Sequence, residues 1–316
     1  MAKIFKRIFK DIQEFKKSDL HTHGIYCDFD EKNLYNAYVL IIGPEGTPYE
    51  DGFYFLKLEF PQNYPLSPPS VVYMTQGHNI RFNPNLYTNG KVCVSILNTW
   101  SGPEWTTSCT LISVLLSIQT LLNENPIHNE PGWETIKKTD IRCVNYNNMI
   151  AYANLKIAIL DMIEHPPYHF EIFKDIMLNH LHKIHFKLED KIKNNLKEDQ
   201  KTLKTEIYSL TIRTDYQDCL YRLKEYLKIP INKSNIEMFY HSNKLEPKEE
   251  PKVEPKEEPK VEPKEEPIET KPKSIRKVPK ENANLFDIGY EKLSENDGKY
   301  YIIGLTKTNK KRWILK

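Results

Sequence analysis

The chain has 316 residues, 39% of them hydrophobic, which is enough to bury one full core with a second small unit beside it. Its 45 basic and 43 acidic residues give a net charge of +2, so overall charge predicts no general attraction to nucleic acid or to acidic membranes. No run of about 18 apolar residues is present, which excludes an ordinary transmembrane helix. The first residues are interrupted by charge, and acids follow at Asp11 and Glu14. We therefore expect neither a secretory signal nor a transit peptide, and a cytoplasmic or nuclear location.

The chain contains five cysteines, an odd number, and no Cys-x-x-Cys pair. This pattern indicates neither a disulfide framework nor a cysteine-based zinc site. The histidine pair His21 and His23, and the histidines between His165 and His185, lack carboxylate or cysteine neighbours at ligand spacing. We therefore predict reduced thiols and no metal site. The cysteines are Cys27, Cys93, Cys109, Cys143 and Cys219.

The first predicted element is an amphipathic helix. Apolar residues recur at helical spacing from Ile4 to Phe15, with lysines and Arg7 between them. A basic helix of this kind either packs on its own domain or lies on a membrane surface, and we expect packing. Four short runs rich in β-branched and aromatic residues follow, and they predict an antiparallel meander. The runs span residues 24–30, 36–42, 53–60 and 70–74.

The middle of the chain changes from irregular to helical. Residues 77–107 show little periodicity, and a long irregular segment inside a compact domain is usually functional. Residues 110–123 are apolar nearly all round, which predicts a buried central helix. Further helices are predicted at 139–164, 170–203 and 215–227.

A proline-rich repeat precedes the last predicted unit. Glu-Pro-Lys-Glu-Glu-Pro-Lys-Val occupies residues 246–253 and is then repeated, and proline at this frequency excludes a helix. We predict an extended linker over 245–280 and a small β-rich tail over 281–316. Within the tail, strand character at 299–305 and 312–315 predicts a hairpin.

The residues best placed for chemistry lie in the irregular segment. A rigid Asn83-Pro84-Asn85 turn precedes Cys93 by eight residues. A thiol in a loop can act as a nucleophile, and a side-chain amide beside it can stabilise an oxyanion. From spacing alone, a buried structural cysteine near an Asx turn is the alternative.

Several ordered motifs around this turn resemble the ubiquitin-conjugating enzyme family. The resemblance covers about residues 1–164, and the run from Gly90 to Gly132 is most similar to the large Z-type conjugating enzymes. It implies an α/β (α+β) class with a ubiquitin-conjugating core over 1–164 that contains an N-terminal helix, a four-stranded antiparallel meander and a central helix. The helices that periodicity predicts beyond this core form a helical extension over 165–244. The motifs are Thr47-Pro48-Tyr49 with Gly52-Phe53, residues 60–69, residues 82–93, Trp100 and the helix that leads to Asn125-Pro126.

The resemblance also implies roles for individual residues. Cys93 matches the acceptor of the ubiquitin carboxyl terminus, and Asn85 matches the amide that assists attack by the substrate amine. Asn83 stands where most members carry a histidine that supports the turn. The usual acidic gate is replaced by the segment that contains His128 and Glu130. These two are the candidate gate or base residues, and the alternative is that they are loop residues that shape an Asn-Glu-Pro turn.

Family membership implies a set of partners. They are ubiquitin or a ubiquitin-like modifier, an activating enzyme, a protein substrate and, optionally, a ubiquitin ligase. Leu66 replaces a phenylalanine that many members use to bind ligases, and residues 102–105 are inserted in a second docking loop. The resemblance implies no directly bound cofactor, because ATP is consumed upstream by the activating enzyme.

Two other functions remain as alternatives. One is a catalytically inactive binding module or scaffold with the same fold, and the presence of Cys93 argues against it. The other is a cysteine hydrolase, but no histidine lies in a recognisable partner motif. Because the extension and tail hold no nucleophile, base and oxyanion donor together, we expect them to select substrates.

Overall fold

The computed structural model describes residues 2–240, 291–293, 300–305 and 311–315. The chain divides into two compact units, residues 1–250 and 251–316. The predicted linker over 245–280 lies outside the described residues.

The first unit begins with helix α1, Ala2–Lys17, which packs on its own domain as expected. Ile8 and Ile12 are buried in the core, and the Arg7 guanidinium donates to the backbone carbonyl of Thr107 at 2.7 Å. Asp11 is also buried; it accepts hydrogen bonds from Arg7 and from the Tyr64 hydroxyl. Burial raises the pKa of Asp11 despite these two donors.

A four-stranded antiparallel sheet follows in the order β1-β2-β3-β4, as the meander pattern predicted. Val39 at the centre of β2 pairs with Cys27 on one side and with Leu56 on the other. Gly24 lies just outside the first strand because its φ of +74° is left-handed, a conformation suited to glycine. The strands are β1 Ile25–Phe29, β2 Asn36–Ile42, β3 Phe53–Glu59 and β4 Ser70–Tyr73.

The central helix α2, Leu111–Gln119, is shorter than the predicted 110–123. Thr110 caps it in a capping box with Ser113, which fixes its start. After Gln119 the chain tightens into turns while still burying apolar side chains, so the apolar pattern outlasts the helix. The Leu121 carbonyl is thereby free to accept side-chain donors from elsewhere in the fold.

Three helical segments then follow one another without a break. Helix α3, Ile141–Ala153, continues through a π-helical segment, Asn154–Asp161, into the short α4, Met162–Glu164. The Asn154 side chain donates to the Glu50 carbonyl at 2.8 Å. A Cβ on Gly52 would lie 1.8 Å from the Asn154 Oδ1 atom, so only glycine fits there.

The helix predicted over 170–203 is wrong at its C-terminal end. Helix α5, Lys174–Asn194, stops nine residues earlier, and Thr202–Lys204 forms strand β5, which pairs with β6, Thr211–Arg213. The hydroxyl of Thr205 donates to the Ile207 carbonyl and accepts from the Leu210 N–H, and these two bonds close the hairpin. The helices α6 Tyr216–Tyr226 and α7 Lys233–Tyr240 follow.

The second unit contains a three-stranded antiparallel sheet in the order β7-β8-β9 among its described residues. The hairpin predicted from the tail sequence is present as β8 and β9, with Ile303 opposite Trp313. The strands are β7 Glu291–Leu293, β8 Tyr300–Leu305 and β9 Lys311–Leu315. Within the described ranges of both units, no helix combines the length and apolar character needed to cross a membrane.

Helix α5 is joined to the core by an ionic cluster on the loop before β3. His180 Nε2 lies 2.9 Å from Asp51 Oδ1, and Lys187 Nζ lies 2.6 Å from a Glu50 carboxylate oxygen. Burial opposes ionisation of Asp51, but the hydrogen bond and charge of His180, together with Lys187, outweigh it and lower the pKa of Asp51. The ionised carboxylate therefore stabilises the folded state at neutral pH.

Replacing Asp51 by asparagine should lower the free energy of unfolding by about 1 kcal/mol at pH 7. Asparagine tolerates the left-handed φ of +65° at this position, so the change tests the charge. Because the folded pKa is depressed, the stabilisation is present above about pH 4 and is lost as the pH falls through the folded pKa. Urea unfolding at pH 7 and pH 3.5 checks this, with exposed Glu45→Gln as the control. An equal loss at both pH values would contradict it.

Candidate active site

The structure brings together the two residues that the sequence placed at the centre of the chemistry. The backbone N–H of Cys93 donates to the Asn85 carbonyl at 2.9 Å, and Asn85 Nδ2 donates to the Cys93 carbonyl at 2.6 Å. Both side chains are buried, with the thiol residue only 1% exposed. This pair of hydrogen bonds fixes an amide donor beside a cysteine, although the two lie eight residues apart in the chain.

Asn83 has a different task from Asn85. Its amide nitrogen donates to the Tyr49 hydroxyl at 2.9 Å and to the Leu121 carbonyl at 2.7 Å, and its oxygen accepts from the Asn85 N–H. The Tyr49 hydroxyl in turn donates to the Phe82 carbonyl at 2.7 Å. Asn83 is therefore a fully engaged anchor of the turn, which is consistent with its expected supporting role.

The Thr99 hydroxyl fixes the backbone on both sides of the cysteine. It donates to the Val92 carbonyl at 2.8 Å and accepts from the Val94 N–H at 3.0 Å. Sequence reasoning missed Thr99, because no local motif marks a side chain that folds back to residues five and seven positions earlier. It matters because the position of the Cys93 backbone determines where the thiol lies.

The five cysteines are all free thiols, but they differ in environment. Burial raises the pKa of the Cys143 thiol, raises that of Cys219 to about 12, and raises that of Cys27 well above its usual range. These three are therefore poor nucleophiles. Of the remaining two, Cys109 is partly exposed and its sulfur accepts from the backbone N–H of Thr106, whereas the backbone of Cys93 is joined to the Asn85 side chain.

The candidate gate residues make their hydrogen bonds away from the thiol. His128 Nε2 lies 2.9 Å from the Ile136 carbonyl, and the Glu130 carboxylate accepts from the Tyr208 hydroxyl. Their neighbour Asn129 reaches the turn instead, since its Nδ2 lies 3.2 Å from the Leu121 carbonyl and 3.4 Å from Asn83 Oδ1. A gate role for His128 and Glu130 stays a prediction.

The similarity of the core to a known family is not confined to the short motifs. Residues 7–152, slightly less than half of the chain, match the family model described as ubiquitin-conjugating enzyme. The chain therefore contains a ubiquitin-conjugating enzyme domain.

The described residues of this domain and of the rest of the chain include no group of three or more His, Cys, Asp or Glu side chains that could hold a metal ion.

The curated relatives of this ubiquitin-conjugating domain include enzymes of the Z type. Ubiquitin-conjugating enzyme E2 Z of Danio rerio is 44% identical over 159 residues, covering 50% of this chain and 48% of that protein. The human dual E2 ubiquitin-conjugating enzyme/E3 ubiquitin-protein ligase BIRC6 is 41% identical over 168 residues, covering 50% of this chain and 3% of that protein. The chain spans about half the length of the E2 Z proteins that it matches.

Among solved structures, a ubiquitin-conjugating E2 domain from Toxoplasma gondii is similar to this chain. The sequences are 25% identical, the TM-score is 0.38, and the match covers 48% of this chain and 97% of that one.

Proposed function

We propose that this protein accepts ubiquitin, or a ubiquitin-like modifier, as a thioester on Cys93 and transfers it to a lysine of a target protein. The observation that carries the proposal is the hydrogen-bonded pairing of Cys93 with Asn85 inside a ubiquitin-conjugating enzyme domain. A binding module without catalysis would need neither the thiol nor the amide beside it.

In the first step, the Cys93 thiolate attacks the carbonyl carbon of the thioester carried by an activating enzyme. A new C–S bond forms, the old C–S bond breaks, and the activating enzyme's cysteine leaves as a thiolate. Sulfur is intrinsically nucleophilic, and a few per cent of an ordinary thiol is ionised at neutral pH, so no dedicated base is required. Burial raises the pKa of the Cys27, Cys143 and Cys219 thiols, which makes these three poor candidates for the step.

In the second step, a neutral lysine amine attacks the same carbonyl carbon. A tetrahedral oxyanion forms, the C–S bond breaks, the Cys93 thiolate leaves, and the amine loses a proton to become an amide. The Asn85 NH₂ group carries two donors, and the bond to the Cys93 carbonyl uses one of them. The second donor is available to the oxyanion, which would be stabilised by a side chain already fixed in place.

The partners of the proposed reaction follow from its chemistry. The activating enzyme consumes ATP upstream, and a target protein supplies the lysine. A ubiquitin ligase is an optional partner; Leu66, which stands at the family's docking position, is 74% exposed and available for contact. We place the reaction in the cytosol or nucleus, where cysteines stay reduced.

The deciding experiment incubates the full chain with activating enzymes, ATP and a panel of labelled modifiers. A thiol-sensitive adduct with one modifier supports the proposal and identifies the modifier. An inactive scaffold would bind modifiers without forming an adduct with any of them, and a cysteine hydrolase would release a cleaved product instead.

His128→Ala should change the rate of lysine discharge less than threefold at every pH from 6 to 9. The reason is that His128 holds the Ile136 carbonyl, so its loss costs about 1 kcal/mol of stability rather than a proton acceptor. Discharge of the preformed thioester to free lysine measures the rate, and thermal unfolding measures the stability. A defect larger than threefold near neutral pH that shrinks towards pH 6, where a histidine base would be protonated, would assign the gate role to His128.

A further inference from the structure

The hairpin formed by β5 and β6 lies against the active-site turn. Its tip carries Tyr208, held in a left-handed conformation with φ +58°, and the Tyr208 hydroxyl donates to Glu130. The Tyr208 ring packs at 6.2 Å from that of Tyr146, whose hydroxyl donates to the Arg81 carbonyl at 2.8 Å. The family match ends at residue 152, so Tyr208 lies beyond it. Tyr208 nevertheless contacts Glu130 and Tyr146, which belong to the matched segment.

Arg81 is the residue that links this hairpin to the turn. Its guanidinium carbon lies 4.2 Å from the centre of the Tyr208 ring and 3.8 Å from that of the Tyr87 ring. The two rings therefore hold the planar cation between them. The Arg81 Nε atom is buried without a partner, so the two rings and one hydrogen bond from the guanidinium hold this side chain.

The far end of Arg81 contacts the turn itself. One guanidinium nitrogen donates to the carbonyl of Pro84, the residue between Asn83 and Asn85. The peptide that starts at this carbonyl supplies the Asn85 N–H, which is bonded to Asn83 Oδ1. A shift of Arg81 would therefore move the backbone from which the Asn85 amide projects.

We propose that Tyr208 is a positioning residue for lysine transfer: its ring and that of Tyr87 clamp Arg81, which fixes the Pro84 carbonyl and so the Asn85 amide. This inference rests on the proposed function and gives the extension a part in the reaction besides substrate choice. Burial and the bond to Glu130 raise the pKa of Tyr208, so its hydroxyl stays neutral at working pH and the ring stacks without added charge.

The test uses the full chain with preformed thioester and free lysine over a range of concentrations up to saturation. Tyr208→Asn removes the ring while tolerating the left-handed backbone, and it should slow the discharge rate about tenfold with little change in the lysine concentration for half-maximal rate. Tyr208→Phe keeps the ring and should stay within twofold of the unmodified chain. All variants should charge at the unmodified rate, because thiolate exchange depends less on the amide.

Matched controls separate this from loss of structure. Tyr221→Ala removes a 64% exposed tyrosine from the same extension and should discharge normally. Arg81→Ala tests the other side of the contact, and the double variant with Tyr208→Asn should be no slower than the slower single variant.

The inference is overturned if Tyr208→Asn discharges within twofold of the unmodified chain, or if Tyr208→Phe is as slow as Tyr208→Asn. Additive defects in the double variant would also overturn it. Should the unmodified chain fail to charge with any modifier, the proposed function fails instead, so the two failures are distinguishable.

Discussion

Cys93→Ala is expected to form no adduct with any modifier, a loss of charging below detection. Among the five cysteines, only Cys93 has its backbone fixed beside a side-chain amide, that of Asn85, and burial raises the pKa of the Cys27, Cys143 and Cys219 thiols. Cys93→Ser should instead form an ester that survives reductant, because the hydroxyl oxygen replaces sulfur at the same carbonyl carbon. Gel electrophoresis with and without thiol reagent separates the two outcomes.

Cys109→Ala provides the matched control for this experiment. Cys109 is partly exposed and so is more accessible to reagents than the nearly buried Cys93. The control variant should charge at the unmodified rate. Charging that persists in Cys93→Ala and disappears in Cys109→Ala would show that the acceptor has been assigned to the wrong cysteine.

Asn85→Ala should slow transfer to lysine by on the order of 10²-fold to 10³-fold, the usual cost of losing an oxyanion donor. Charging of Cys93 should slow much less, because exchange between two thioesters develops less charge mismatch than amine attack. Single-turnover discharge to free lysine, set against the charging rate of the same variant, measures the difference.

The neighbouring variant Asn83→Ala should lose stability without a selective defect in lysine transfer. It removes four hydrogen bonds in a buried site and leaves the Leu121 carbonyl and the Tyr49 hydroxyl with one partner fewer. We expect a loss of about 1–3 kcal/mol in unfolding free energy, with only a modest slowing of both steps. A larger discharge defect in Asn83→Ala than in Asn85→Ala, at equal folded fraction, would mean that the roles are reversed.

The sequence predicted best those parts of the structure that depend on patterns of neighbouring residues. Period-two and period-3.6 patterns predicted α1 and the four strands within a few residues, and the motif order predicted that Asn85 lies beside Cys93. The overlong central helix shows the limit of this approach. Apolar residues after Gln119 serve the core from turns, and periodicity alone does not distinguish the two cases.

Contacts between distant segments could not be predicted from the sequence. Tyr208 approaches Glu130 across 78 residues of chain, and its hairpin replaced the end of a predicted helix. Thr202 and Thr211 are weak helix formers, but nothing local specifies that their segments pair. The residues that fix the turn from outside therefore became visible only in three dimensions.

The stacking of Arg81 between two tyrosines has an evolutionary consequence. An unstacked arginine at this position would leave a poorly held cation beside the turn, so selection should act on Arg81, Tyr87 and Tyr208 as one unit. Tyr208 lies past residue 152, where the family match ends. Homologues in which a different sequence follows the core should therefore also differ at residue 81, or carry another aromatic ring in the place of Tyr208.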